Sequence, residues 1–140
     1  MYNMVLIAFD GSKPSVHVLQ HAIELVKTAG TKKIIILHVN DEPMQLLDPV
    51  YNANLDQLIH RYNHKILSIA NELLLAADVL YETQILEGDP SKETISFVEE
   101  NPYDVIVMGS EGKGLIMKTF LGSISHAVAH SVGFPVIIVK

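Results

Sequence analysis

Five short apolar runs rich in valine and isoleucine, each parted from the next by a helix-length pattern, restrict this chain more than any other feature. They occupy residues 5–9, 34–39, 80–86, 105–108 and 136–139. Unbroken runs of this length suit strands covered on both faces. Only 80–86 is interrupted, by Glu82, Thr83 and Gln84, as suits an edge strand with one face partly wet. The first helical pattern has Ser12 as N-cap and Pro14 in its opening turn, then Val16, Leu19, Ile23 and Val26, and ends near Gly30. A second carries Leu55, Ile59, Tyr62, Ile66, Ile69 and Leu73 on one face. The third starts at Asp89-Pro90, buries Ile95 and Val98 and stops before Asn101-Pro102; the fourth runs from Gly122-Ser123 to about Val132. Residues 44–54, with Pro43 just before them and Pro49 inside, read as an irregular connection or a flap. The order βαβαβαβαβ predicts an α/β fold. It is a single domain over residues 1–140, one open doubly wound parallel five-stranded sheet with helices on both faces. Ligands of such sheets sit beyond the carboxyl ends of the strands, so the loops after the first and fourth strands are the places to look.

Composition removes several alternatives. There is no cysteine, which excludes disulfide scaffolds and thiolate metal sites and favours a cytoplasmic location. Ten basic against sixteen acidic residues give a formal charge of −6, and Arg61 is the only arginine; a binder of long nucleic acids would instead gather a basic patch. No apolar run approaches the ~18 residues of a membrane span, and the opening run is too short and too weakly flanked by basic residues for a signal peptide. Neither nucleic acid nor membrane is expected as a partner.

Chemistry concentrates after the fourth strand, where the chain reads Met108-Gly109-Ser110-Glu111-Gly112-Lys113-Gly114 and later Leu121-Gly122-Ser123-Ile124-Ser125. Glycine allows close backbone approach, so consecutive amides can turn toward one anion, and a helix start adds its positive dipole end. Phosphate is the natural occupant, with Ser123 able to donate its hydroxyl while capping the helix. Taken singly, each glycine reads more simply as a turn. Two standard phosphate loops fail on spacing: only two residues separate Gly109 from Gly112, where a P-loop needs four before Gly-Lys-Ser/Thr, and the first β-α turn, Asp10-Gly11-Ser12, lacks Gly-x-Gly-x-x-Gly.

What the spacing does match is Gly109-x-x-Gly112, nine residues, then Gly122-Ser123, and this resembles the nucleotide-binding motif of the universal stress protein family. The resemblance extends over the chain: residues 5–10 with Gly11-Ser12, then Leu37-His38-Val39, residues 104–109, and Phe134-Pro135 leading into the last strand. It implies a Rossmann-like sheet in order 3-2-1-4-5, a homodimer, and ATP (or ADP or AMP), with or without Mg²⁺, as the bound group. Carried over by position, Asp10 and the backbone near Ala8 would face the nucleoside and Val39 would meet adenine through its main chain. Met108 and Gly109 would lie by the ribose, and Gly112, Gly122, Ser123 and Ile124 would bind phosphates; Ser110 and Lys113 complete the candidate set. Glu111 departs from the family pattern, which has a basic or neutral residue there. Its carboxylate repels a triphosphate unless it points to solvent or holds a metal ion, with Lys113 and Lys118 as compensation.

Asp10 at a strand end can accept from ribose hydroxyls or orient a Mg²⁺ water, or it can bond its own backbone around Gly11. His17 and His21, His60 and His64, and His126 and His130 stand four apart, so each pair shares a helix face. Such a pair can bind Zn²⁺, but no Glu follows the first His of any pair and no third ligand is evident, so no metal site is assigned; solvated or partly packed helix histidines are the reading, with opportunistic metal binding as the alternative. Ser110, Ser123 and Ser125 lack a nucleophile elbow, and no arginine finger or base faces a γ-phosphate, so no catalytic residue is assigned. The last strand, Val136, Ile137, Ile138 and Val139, is an apolar edge that a second copy could pair across a twofold axis. The function expected is a dimeric stress-response sensor or regulatory module that binds ATP or another adenine nucleotide with slow or no hydrolysis. The alternative is an interaction module of the same fold without nucleotide; a true ATP hydrolase is disfavoured.

Overall fold

A computed structural model of the protein describes residues 2–40, 52–110 and 123–140. Its elements are β1 (Met4–Ala8), α1 (Lys13–Ala29), β2 (Lys33–Asn40), α2 (Asn52–Ala76), β3 (Tyr81–Glu87), α3 (Pro90–Glu100), β4 (Val105–Gly109), α4 (Ser123–Ser131) and β5 (Val136–Val139). The strands make one parallel sheet in the order β3-β2-β1-β4-β5, as the resemblance implied. Successive side chains of a strand point to opposite faces, and β1 shows the consequence. Val5 and Ile7 enter one cluster with α1 and α2, while Leu6 enters a second that includes α3 and α4 residues such as Val98 and Val128. All five of these strand and helix residues except Val98 are wholly removed from solvent. Burying each large apolar side chain contributes about 1.5–3 kcal/mol, which is why the central strands consist of little else.

Local signals place the helices. Ser12 caps α1, its Oγ accepting from the Ser15 amide at 3.2 Å, and Gly30 ends the helix in the left-handed conformation that side chains resist. Asp89 caps α3 by accepting from the Lys92 amide at 2.9 Å, with Pro90 in the first turn. The starts of β1 and β4 are tied by Asp104, whose Oδ2 accepts from the amides of Asn3 and Met4 at 2.7 and 2.8 Å. The edge strand β3 alternates over its first four residues, with Glu82 and Gln84 exposed on one face, and beyond them Ile85 and Glu87 are exposed as well.

Two expectations need correction. Residues 52–54, read as irregular, already belong to α2; the rest of that stretch, 44–51, lies outside the described residues. The buried stripe of α2 runs through Asn63, Ile66, Leu67, Ala70 and Leu74, while Ile69 is 38% exposed. An apolar count turns the helix the wrong way here because it leaves out Asn63, whose Oδ1 accepts from Asn40 Nδ2 at 3.0 Å inside the core.

Candidate functional site

The carboxyl ends of β1 and β4 lie side by side, with Leu6 opposite Ile106 and Ile7 opposite Val107. From them the chain departs in opposite directions. After β1 it forms α1 on one face of the sheet and proceeds to β2; after β4 it reaches α4 on the other face and proceeds to β5. The helices that follow β1 and β4 thus lie on opposite faces, and open α/β sheets take ligands in the crevice expected at such a switch point.

Of the residues singled out in the sequence, Ala8 closes β1, Val39 is the penultimate residue of β2, Met108 and Gly109 end β4, and Ile124 is in the first turn of α4. Ala8, Val39, Met108 and Ile124 share the apolar cluster on the α3/α4 face; Met108 is buried and the other three are half-buried. Four residues far apart in sequence thus come together on one face of the carboxyl edge. Gly109 pairs with Val139, and the Ser110 amide donates to the Val139 carbonyl at 3.1 Å, which fixes where the chain leaves the sheet. Ser123 is the first residue of α4. Gly112, Lys113 and Gly122, together with Glu111 and Lys118, lie outside the described residues.

Asp10 stands two residues beyond β1. Its Oδ1 accepts from the Ser12 amide at 2.9 Å, so that oxygen holds the turn that starts α1. Gly11 makes the turn possible: its φ is +82°, and a Cβ there would stand 3.1 Å from the Ile66 side chain. The starts of α1 and α4 flank the crevice, and neither helix has an acidic residue in its first turn, whereas α3, on the β3 side, carries Glu93. The positive dipole ends nearest the switch point are therefore not neutralised by a neighbouring carboxylate of their own first turn.

The other face of the same edge was not legible as a unit. There His38 Nδ1 lies 3.1 Å from the Phe9 carbonyl, and Asn40 joins Asn63. His38, Asn40 and Asn63 are all buried. The only sequence signal was a polar ending, His38 and Asn40, on an otherwise apolar strand. Among the described residues no three histidine, aspartate or glutamate side chains converge as a metal centre would require, and no helix is long and apolar enough to cross a membrane.

The arrangement defines a parallel α/β protein with a crevice beside two helix starts. The family model described as "Universal stress protein family" matches residues 1–140, and the chain belongs to that family. It is 30% identical to universal stress protein YxiE of Bacillus subtilis, with both chains covered completely. Among solved structures it is similar to protein MJ0577 of Methanocaldococcus jannaschii, with TM-score 0.83, 29% identity, and 100% and 96% of the two chains covered. It is also similar to a universal stress protein solved in complex with cAMP, with TM-score 0.71, 25% identity, and 99% and 97% covered.

Proposed function

We propose that the protein binds ATP, or another adenine nucleotide, in the crevice between β1 and β4, and acts through occupancy as a dimeric stress-response sensor. The observation that carries this reading is the convergence of Ala8, Val39, Met108 and Ile124 at the switch point, beside the start of α4, whose first residue Ser123 follows Gly122 in the sequence. Small and flat surfaces at the strand ends suit a planar base, and main-chain amides with a helix dipole suit phosphates. The cAMP complex of a relative supports the ligand class. In this reading Ala8, Asp10 and Val39 meet the nucleoside and Met108 and Gly109 the ribose. Ser110, Gly112, Lys113, Gly122, Ser123 and Ile124 surround the phosphates, with Mg²⁺ as an optional companion. Slow or no hydrolysis goes with it, as do a cytoplasmic location and a single domain. The dimer would form through β5, whose four residues are only half-buried in one copy.

A second reading, an interaction module without nucleotide, draws on the Asp10 carboxylate being engaged with its own turn. Titration calorimetry of the folded protein with ATP, with and without Mg²⁺, separates the two. Saturable heat at micromolar ligand is expected; none at millimolar ATP, ADP or AMP would leave only the module. Mass spectrometry of the small molecules that co-purify then identifies the nucleotide.

A further inference from the structure

Six of the seven histidines stand in pairs four residues apart, on α1, α2 and α4. Seven histidines scattered at random over 140 positions would seldom give three such pairs. All six are exposed, and only His38 is buried in the sheet. Core packing does not call for them: α1 buries Val18, Leu19, Ala22 and Ile23, and α4 buries Ser125 and Val128, on the sides facing the sheet.

In two pairs the rings already meet. The centroids of His17 and His21 are 4.6 Å apart, and those of His126 and His130 are 4.5 Å apart, both edge-on rather than stacked. An imidazole nitrogen binds a transition-metal ion at about 2.0–2.1 Å, so two rings sharing one ion have centres roughly 5 Å apart. Rotation of the side chains, unhindered at the surface, covers the difference. Residues i and i+4 also keep that separation along a rigid helix, so little order is lost on binding.

We propose that His17–His21 and His126–His130 are two separate chelate sites, each holding one late divalent transition-metal ion through two imidazoles. Cu²⁺ binds most tightly and Ni²⁺ and Zn²⁺ more weakly, following the order of affinities for nitrogen donors. Water fills the remaining positions, since among the described residues no group of three ligating side chains is present. Such sites exchange their ion readily, unlike a closed four-ligand structural centre. Neither pair includes a residue of the proposed nucleotide site, so the two readings stand or fall separately.

The test is a Cu²⁺ titration of chelator-stripped, nucleotide-free full chain, read by electron paramagnetic resonance for ions coordinated by two nitrogens. H17Q/H21Q and H126Q/H130Q should each lower that number by one, and the fourfold variant by two; His60 and His64, also exposed and four apart, are kept in every variant so that whatever they bind is the same in each count. Replacing a single histidine of a pair should weaken its ion at least about tenfold, because the second donor acts at high effective concentration. Circular dichroism checks that each variant keeps its helices; glutamine sits well in both. An unchanged count in either double variant, or coordination by one nitrogen at these positions in the parent protein, overturns the assignment.

Discussion

On the α1/α2 face the carboxyl edge of the sheet ends in polar groups that answer one another, whereas on the α3/α4 face it ends in apolar side chains. His38, Phe9, Asn40 and Asn63 form the first set, joined by contacts of 3.0 and 3.1 Å. Ala8 and Val39, both half-buried, and the buried Met108 form the second. Buried amides and imidazoles are costly unless partnered, so the first face uses its hydrogen bonds to hold β1, β2 and α2 in place. Backbone and apolar side chains make few demands of that kind, so the second face can present them to a ligand at little cost in stability. The two faces are thus expected to respond differently to substitution, one in folding and the other in binding.

The largest effect should come from the ligand side. Gly122→Val puts a side chain where the proposed phosphates lie against the start of α4, and a loss of at least about 100-fold in nucleotide affinity, roughly 2.7 kcal/mol, is expected. Melting temperature without nucleotide should hardly move. Unchanged affinity in a folded variant would remove the phosphate assignment, and a collapse of stability would erase the division between the faces. Asn63→Leu tests the other side. It deprives Asn40 of a buried acceptor and should cost about 1–3 kcal/mol in urea unfolding, with nucleotide affinity within about twofold of the parent. A large loss of affinity would mean that the two faces are coupled through β2.

Their legibility in the sequence differed for the same physical reason. The sheet was readable because apolarity and strand burial coincide: residues 136–139 are β5 without adjustment, and β1, β2 and β3 shift by about one residue at their ends. Ser12 and Asp89 were readable as caps because their chemistry is local. Of the proposed ligand side, the resemblance supplied Ala8, Val39 and Met108, which the fold does bring to one cluster, while the glycine spacing falls mostly outside the described residues. The polar face was not readable, because Asn40 and Asn63 acquire meaning only as a pair 23 residues apart. Counting apolar positions alone turned α2 past Asn63 and toward the exposed Ile69 for that reason.

β5 ties the two faces together at one side of the sheet, Ile137 and Val139 packing toward α1 and Val136 and Ile138 toward α4. The carbonyls of Pro135 and Val139 accept from Ile106 and Ser110 of the β4 side. In a parallel ladder alternate residues bond to one neighbour, so Val136 and Ile138 turn their backbone groups outward. Ile138→Pro removes an outward amide and leaves the β4 pairing, a substitution edge strands tolerate. Sedimentation should show a shift from the proposed dimer to monomer, with about 1–2 kcal/mol of stability lost because the half-buried Ile138 side chain packs against the α4 cluster. A variant that remains dimeric places the contact elsewhere.

The smallest expected effect concerns the amino end of the α3/α4 face, opposite the end proposed to take the nucleotide. Tyr103 stacks on Phe97 with ring centroids 5.9 Å apart and packs against the same cluster as Ala8 and Val39. Burial first, and the Glu82 carboxylate second, hold its phenol above the ordinary value of 10.0. The folded chain therefore keeps this proton at a pH where the unfolded chain releases it. The resulting stabilisation is complete below pH 10 and fades as pH rises through the folded value. Tyr103→Phe cannot ionise, so its stability should decline less steeply than the parent's above pH 10 in denaturant titrations, with nucleotide affinity at neutral pH unaltered. Parallel alkaline curves would show that the ring is wetter than its packing indicates, and a loss of affinity would show that the two ends communicate along β4.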